Sequence, residues 1–390
     1  MTQRRALVIG GGIAGPAAAL FLARAGIEPV VFEAYPRKDD ITGGFQIAPN
    51  GMRVLATLGL GARLTAAGAA SSEMVFRNHR GRAIGRIHPH ASAPALNLER
   101  GAVIGALRDE LVRQQIAVHY ERRLAELTVA GREILARFDD GTTEAGDFVI
   151  GADGVHSRVR GLTFPAAALP RDTDMLSIGG FCKLALDDRE ADRMTFLVGR
   201  MHQFGYARFG AGSAWWCHLH PESASERAAL LAMPLSDLRD AMLARYRGWA
   251  DPVERLMRAT EGWVRVPIYD VPSLAAWHED RVLLIGDAAH AMSPAGGQGA
   301  SMALEDAVLI GKLLADASTP LDHAFARFEA ARKPRVEPMI AQAYANDRRT
   351  LKRLGPVAAW TRDRVMMPVF SRFIERALTD VYAYDAAASA

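Results

Sequence analysis

Ala6-Leu-Val-Ile-Gly-Gly-Gly-Ile-Ala-Gly-Pro-Ala-Ala-Ala-Leu-Phe-Leu22 is the stretch that decides the fold. Ala6 to Ile9 is a short apolar run that reads as a buried strand, and an alanine-rich helix follows. Between them Gly10, Gly12 and Gly15 fit the spacing Gly-x-Gly-x-x-Gly. The first glycine permits a tight turn, and the second lets backbone approach a pyrophosphate. The third lets helix and strand pack closely. Free amides at the helix start, around Ile13 and Ala14, would face such an anion with the helix dipole behind them. Pro16 sits in the first turn, where a missing amide hydrogen costs little.

Outward from this corner, a second apolar strand, Pro29-Val-Val-Phe-Glu33, ends in an acid about twenty residues on, where a dinucleotide fold places its ribose-binding carboxylate. A chain of 390 residues can bury a large core, and its length suggests two or three domains. Hydrophobic residues at 49% and charged residues at 23% are ordinary for a globular protein. A net charge of +3 gives no argument for a nucleic-acid partner. Cys182 and Cys217 form neither a disulfide framework nor a metal-ligand spacing, so a cytoplasmic protein without a metal is expected. The N-terminal apolar stretch is interrupted by glycines, Arg24 and Glu28; neither a signal peptide nor stable membrane insertion is expected.

Further along, Gly51–Leu58 reads as a helix and Glu73–Ile87 as a hairpin turning at His79–Gly81. Val103, Leu107 and Leu111 mark one face of a helix that begins near Arg100. Strand patterns follow at 117–120, 124–129 and 134–138. Antiparallel strands are expected at 177–186, 193–198, 203–209 and 214–219, then a helix over 235–257 and a strand over 262–268. Arg281-Val-Leu-Leu-Ile-Gly-Asp287 is another buried strand ending in an acid, and Ser301–Leu314 reads as a helix. The tail, 324–383, reads as helices. Its amphipathic part, Leu354 to Phe370, suits a helix laid across both domains, a dimer contact or a membrane-surface contact.

Three corners therefore end apolar strands: the Gly10 loop, Asp153-Gly154 and Gly286-Asp287. A nicotinamide dehydrogenase needs mainly the first. Three in one sheet suit FAD, whose ribityl chain and ring are held along their length. Here the chain resembles the single-component flavin aromatic hydroxylases, the family of para-hydroxybenzoate hydroxylase, salicylate hydroxylase and the tetracycline-inactivating monooxygenases. The resemblance rests on Gly10–Gly15, the Arg100 helix start, Gly151-Ala-Asp-Gly-Val-His-Ser-Arg-Val-Arg160 and Gly286-Asp-Ala-Ala-His-Ala-Met-Ser-Pro-Ala-Gly-Gly-Gln-Gly299 with Glu305-Asp306 behind it. It spans residues 1 to about 315, with the motifs in family order.

The resemblance implies an α/β fold: a Rossmann-like FAD-binding domain with an inserted antiparallel β-sheet substrate domain and C-terminal helices. The FAD-binding domain would comprise residues 1–72, 98–170 and 271–320. The substrate domain would comprise a hairpin, 73–97, and 171–270, with the C-terminal helices at 321–390. Glu33 would bind ribose; several relatives carry arginine after that acid, and Ala34 here leaves Arg37 or Lys38 to reach back. Gly44, Phe45 and Gln46 would flank the ring, and Arg100 would reach the pyrophosphate or ribityl region. Asp153 and Gly154 would serve FAD and the nicotinamide donor, with Arg158 and Arg160 as phosphate partners. Asp287, beyond Gly286, would bind the ribityl hydroxyls; Pro294, Gly296, Gly297, Gln298 and Gly299 would line the ring.

Substrate contacts are expected from Gln46, His202, Gln203, Tyr206, Arg208, Trp216 and His218, with Arg208 meeting a carboxylate or phenolate. Tyr206 shares a strand face with Arg208, and Trp216 with His218. No catalytic base is assigned. NADPH or NADH would reduce FAD transiently, and O2 would then give a flavin 4a-hydroperoxide. That species would hydroxylate or epoxidise an aromatic or polycyclic small molecule in a site that excludes water. The alternative is a flavin-dependent reductase or dehydrogenase that does not transfer oxygen. Halogenation would be expected to show Trp-x-Trp-x-Ile-Pro, and Trp215-Trp216 lacks that context. A monomer and a homodimer both remain open.

Overall fold

The computed structural model describes residues 3–41, 43–91, 93–350 and 354–388. The nucleotide-type half is built on a six-stranded sheet. Its order is His278–Glu279, Val282–Leu284, Phe148–Gly151, Arg5–Ile9, Glu28–Phe32 and Val118–His119. All neighbours are parallel except the edge strand His278–Glu279. Leu7, Val8, Val31, Val149, Ile150 and Leu283 are fully buried, so the strands read as apolar runs rather than alternations.

The helix Ala14–Arg24 exposes a flat seam of alanines to the helix Gly299–Leu313. A Cβ at Gly311 would lie 2.6 Å from Phe21 Cβ, so the two helices meet at a distance only glycine permits. On the other side a three-stranded antiparallel sheet, 124–130, 133–138 and 143–146, brings Phe138 against Phe32 with ring centroids 4.7 Å apart.

The second half is a seven-stranded sheet in the order Gly262–Asp270, Arg171–Cys182, Gly212–Leu219, Gln203–Phe209, Arg193–Val198, Glu73–Asn78 and Ala83–Ile87. The hairpin at residues 73–87 thus joins it by a parallel pairing with Arg193–Val198. One face is covered by the helices Ala224–Ala232, Leu235–Arg245 and Val253–Ala259. They enclose Leu176, Ile178, Leu197, Phe204, Trp215 and Cys217. The other face looks toward the nucleotide half across a small sheet of Gly44–Ile47, Ala95–Glu99 and Ala69–Ser71. A Cβ at Gly44 would stand 2.7 Å from Phe181 and 2.8 Å from Phe209.

Several boundaries move. The helix expected over 235–257 is two helices, because Gly248 takes φ +78° and Pro252 cannot donate to a helical ladder. The helix Ala224–Ala232 was not expected; Ser223 caps it by accepting from the Glu226 amide at 3.1 Å. The strand expected over 177–186 runs from Arg171 to Cys182, paired on both sides. The strand before Asp287 stops at Leu284, and Asp287 opens a short helical turn. The tail forms Leu321–Thr350, then a rod of Pro356–Thr361, a wide turn at Arg362–Met366, and Met367–Ala383. Among the described residues no helix is long and apolar enough to cross a membrane.

Gly15 and Gly12 separate packing from ligand approach. A Cβ on Gly15 would fall 1.9 Å from the Gly10 carbonyl oxygen, whereas one on Gly12 meets nothing within 4 Å. Gly15→Ala should cost about 1–3 kcal/mol of stability by overpacking. Gly12→Ala should leave stability unchanged, both read from denaturant midpoints.

Candidate functional site

Three strands that lie side by side, Val282–Leu284, Phe148–Gly151 and Arg5–Ile9, end at one edge of the sheet. The first corner of the chain needs φ +117° at Gly10, where a Cβ would strike the Ala152 carbonyl at 2.3 Å. Glu33 is fixed beside it: one carboxylate oxygen accepts from Gly11 N at 2.7 Å and the other from Tyr35 N at 2.9 Å. The helix at Ala14 starts with no side-chain cap and no acid in its first turn, leaving its amides for an anion.

At the second corner Asp153 is occupied. It accepts from Ser157 Oγ at 2.5 Å, Arg158 N at 2.7 Å and Val159 N at 3.0 Å, and so caps the short helix Arg158–Thr163. Burial pushes its carboxyl up, and these hydrogen bonds offset that only in part. The Asp153 carboxylate is thus engaged in shaping its own loop, and Gly154, with open space before it, faces outward. Arg160, expected as a phosphate partner, is turned inward instead. Its buried guanidinium donates to the Ala288 and Val155 carbonyls, both at 2.7 Å, and ties the second corner to the third. Arg158 is exposed and reaches the Ala125 carbonyl at 3.2 Å.

At the third corner Gly286 takes φ +57° and donates its amide to Asp306 Oδ2 at 2.8 Å. Asp306 is 0% exposed, yet it also meets His290 Nε2 at 2.6 Å and Arg332 Nε at 2.7 Å. Arg332, equally buried, donates to Glu305 at 2.5 Å. Glu305 in turn receives Arg335 at 2.8 Å and Asn50 Nδ2 at 2.7 Å. Burial alone would raise Asp306, but the charges of His290 and Arg332 outweigh it and hold the carboxyl down at about 2.

Asp287 stands in front of this network. Its carboxylate has no hydrogen-bond partner among the described residues. Although Asp287 is exposed at the cleft, the protein packed around it pushes its carboxyl up, opposed by the charges of His290 and Arg100. Arg100 is exposed at the start of the helix Arg100–Arg113, and its backbone amide holds the Gly43 carbonyl at 2.8 Å. Pro294–Gly296 forms a tight turn, and the helix Gly299–Leu313 then begins, without a capping side chain or an early acid. A Cβ on Gly297 would meet open space, and Gln298 accepts from Asn50 at 3.3 Å. Gly12, Gly154 and Gly297 thus border open space, two helix starts lack caps, and one acid lacks a partner. These features fit an elongated dinucleotide with hydroxyls opposite Asp287.

Gly44, Phe45 and Gln46 lie on the strand that pairs with Ala95–Glu99, and Gln46 Nε2 reaches Asn97 Oδ1 at 3.3 Å. Arg37 does not reach back to Glu33; it pairs with Asp39 at 3.1 Å, and the Lys38 carbonyl accepts from Arg108. Beyond Ala34, the ring of Tyr35 lies under Arg123 at 5.0 Å, a pair the sequence did not single out.

The large sheet divides the expected substrate residues. Gln203, Trp216 and His218 face the nucleotide half, whereas Tyr206 and Arg208 point to the helix-covered side. Tyr206 is buried there and donates to Glu190 at 3.2 Å; Arg208 is exposed. Both are corrected as substrate contacts, because strand alternation fixes partners on a face but not which face meets the cofactor. Burial lowers the imidazoles of His202 and His218 to about 4, so both are neutral near pH 7.

The face toward Gly44 instead carries aromatic side chains that the sequence reading missed. Phe76 stacks on Phe196 at 5.2 Å, Phe196 meets Trp216 edge-on at 5.8 Å, and Phe181 meets Phe209 at 5.5 Å. The charged residues that the paired rows place on this face, Arg171 and Asp270, bind each other at 2.6 Å at the end of their strands, and the rows that carry the rings are uncharged. Beside Gln46 and Met74 lies a cavity of about 390 Å³, walled also by Glu73, His88, Asp192 and Tyr382.

The family model described as FAD binding domain matches residues 3–179 and 262–343. A 3-amino-4-hydroxybenzoate 2-monooxygenase of Streptomyces platensis is 32% identical, with 85% of each chain covered. The aurachin C monooxygenase/isomerase of Stigmatella aurantiaca is 28% identical, covering 92% of this chain and 93% of its own. Klebsiella pneumoniae HpxO, solved with FAD and uric acid, superposes with a TM-score of 0.83 at 25% identity. That match covers 97% of this chain and 96% of HpxO.

Arg332→Met would strand Glu305 and Asp306 as buried charges without their main partner. The loss should be about 3–5 kcal/mol, measured by chemical denaturation of the purified variant.

Proposed function

We propose that this chain, which belongs to the FAD binding domain family and is an FAD-dependent monooxygenase, adds one atom of O2 to a planar, weakly polar aromatic acceptor. The observation that carries the acceptor class is the uncharged aromatic wall of Phe76, Phe196, Trp216, Phe181 and Phe209 beside the Gly44 strand. Arg208, the one cation expected to meet a carboxylate, lies behind the sheet. Relatives named for 3-amino-4-hydroxybenzoate and urate support a ring acceptor. NADPH or NADH is the proposed electron donor. A reducing, cytoplasmic setting is supported by two free cysteines.

Bound FAD supplies the redox and oxygen-activating chemistry. The chain's own residues hold and shield it. Gly12 and the amides at Ile13 and Ala14 take the pyrophosphate, while Glu33, steadied by Gly11 and Tyr35, takes the ribose. Asp287 takes ribityl hydroxyls, with Arg100 balancing charge nearby. The uncapped start of Gly299–Leu313 favours negative charge at the adjoining end of the ring system. Gln46 and Phe45 flank the ring from the opposite strand. The aromatic wall orients the acceptor and excludes water. His218, on the face of that wall and neutral near pH 7, adds no fixed positive charge to it, while His202, expected as a substrate contact, packs against Tyr246 on the helix-covered side.

The test is oxygen uptake against hydrogen peroxide release, with NADPH or NADH and a panel of neutral hydroxyarenes matched to their carboxylates. Tight coupling with a neutral member is expected, and Trp216→Ala should raise its KM roughly tenfold through lost ring contact while the variant releases more peroxide. Coupling only with carboxylates contradicts the acceptor class. No oxygen-dependent product with any ring compound contradicts the monooxygenase reading.

A further inference from the structure

The terminal helical rod, residues 356–383, has its polarity reversed. A surface helix normally turns its apolar stripe to the core. Here the middle of the inward side is small and polar, with Met367 and the buried Tyr382 packed at its two ends. Ser371 is 3% exposed and abuts Gly85, where a Cβ would fall 2.5 Å from Ser371 Oγ. Glu375 accepts from His88 N at 2.9 Å, and Thr379 Oγ1 from His90 N at 3.1 Å.

The outward side carries Phe370, 50% exposed, and Phe373, 65%, with Met366, Val369 and Ile374 completing the stripe; Trp360, 60% exposed, adds apolar surface on the preceding segment. Arg372 and Arg376 stand three residues after Val369 and Phe373, along the edge of the stripe. These two and Arg364 are exposed and have no ion pair among the described residues. Asp363 is paired with Arg362 and Glu375 is held by His88, which leaves Asp380 as the exposed acid of the rod.

An apolar stripe with an arginine edge matches an anionic lipid interface; two stripes packed face to face would set these arginines against one another. We propose that the rod docks in the plane of an anionic lipid surface, its stripe in the headgroup–acyl boundary and its arginines on the lipid phosphates. The docking needs no spanning helix, and it goes beyond the oxygenation chemistry.

The test is cosedimentation of the full-length holoprotein with phosphatidylcholine vesicles, with and without about one-quarter phosphatidylglycerol. Binding is expected with phosphatidylglycerol, weaker with phosphatidylcholine alone, and falling with salt. Arg372→Glu/Arg376→Glu should weaken it by about 30-fold or more, and Phe370→Glu/Phe373→Glu should remove it. Both variants should keep their flavin absorbance and circular dichroism, since all four side chains project into solvent. Absence of binding by the unaltered protein, or equal binding by both variants, overturns the proposal. A concentration-dependent dimer that Phe370→Glu/Phe373→Glu abolishes, without vesicle binding, overturns it in favour of a second copy of this chain.

Discussion

Arg332 between Glu305 and Asp306 is the interaction on which the site depends. It joins the helix Gly299–Leu313 to the long helix Leu321–Thr350, and Asn50 adds the helix Pro49–Thr57 through Glu305. Asp306 uses its other oxygen to hold Gly286 N and His290. Gly286 sits at φ +57°, a conformation that places Asp287 facing the open cleft. Burying this many charges is not a cheap route to stability, because an apolar replacement of the same volume often does as well. What the network provides is a single arrangement of the third corner. Any slip in Asp306 would move Gly286, and with it the acid beyond.

The other corners are held by different means, matched to what each presents. The first relies on bare backbone: glycines that admit close approach, and Glu33 clasping Gly11. The second uses Asp153 as a cap and Arg160 as a strut to Ala288, so its polar side chains are consumed in shaping the loop. Two helix starts are left uncapped while a third, at Ser157, is capped. In the proposed site the two uncapped starts would meet the ligand, while the capped one holds its loop still.

Much of this was legible because each corner is continuous in sequence: an apolar run, a glycine turn, an acid. The adjacent acids Glu305-Asp306 were legible only as the end of the glycine motif before them, not as a buried charged network. Their partners Arg332 and Arg335 were not, since nothing local distinguishes these arginines in a long polar helix from solvated ones. Strand alternation correctly paired Tyr206 with Arg208 and Trp216 with His218, but the choice of face belongs to the helices that cover one side. The aromatic wall escaped notice because Phe76, Phe196 and Phe209 come from separate strands and meet only through register. The break at Gly248 and Pro252 lay within an otherwise helical pattern.

In the proposed site three corners converge on FAD, with Asp287 as the acid that has no hydrogen-bond partner among the described residues. The most direct measurement is a flavin titration of apoprotein, comparing the unaltered chain with Asp287→Ala by quenching of FAD fluorescence. A charged hydrogen bond of about 1.5–3 kcal/mol predicts a Kd for FAD raised roughly tenfold or more, with the variant's fold intact by circular dichroism. Equal FAD affinity in the two proteins would contradict the claim that this corner holds the cofactor.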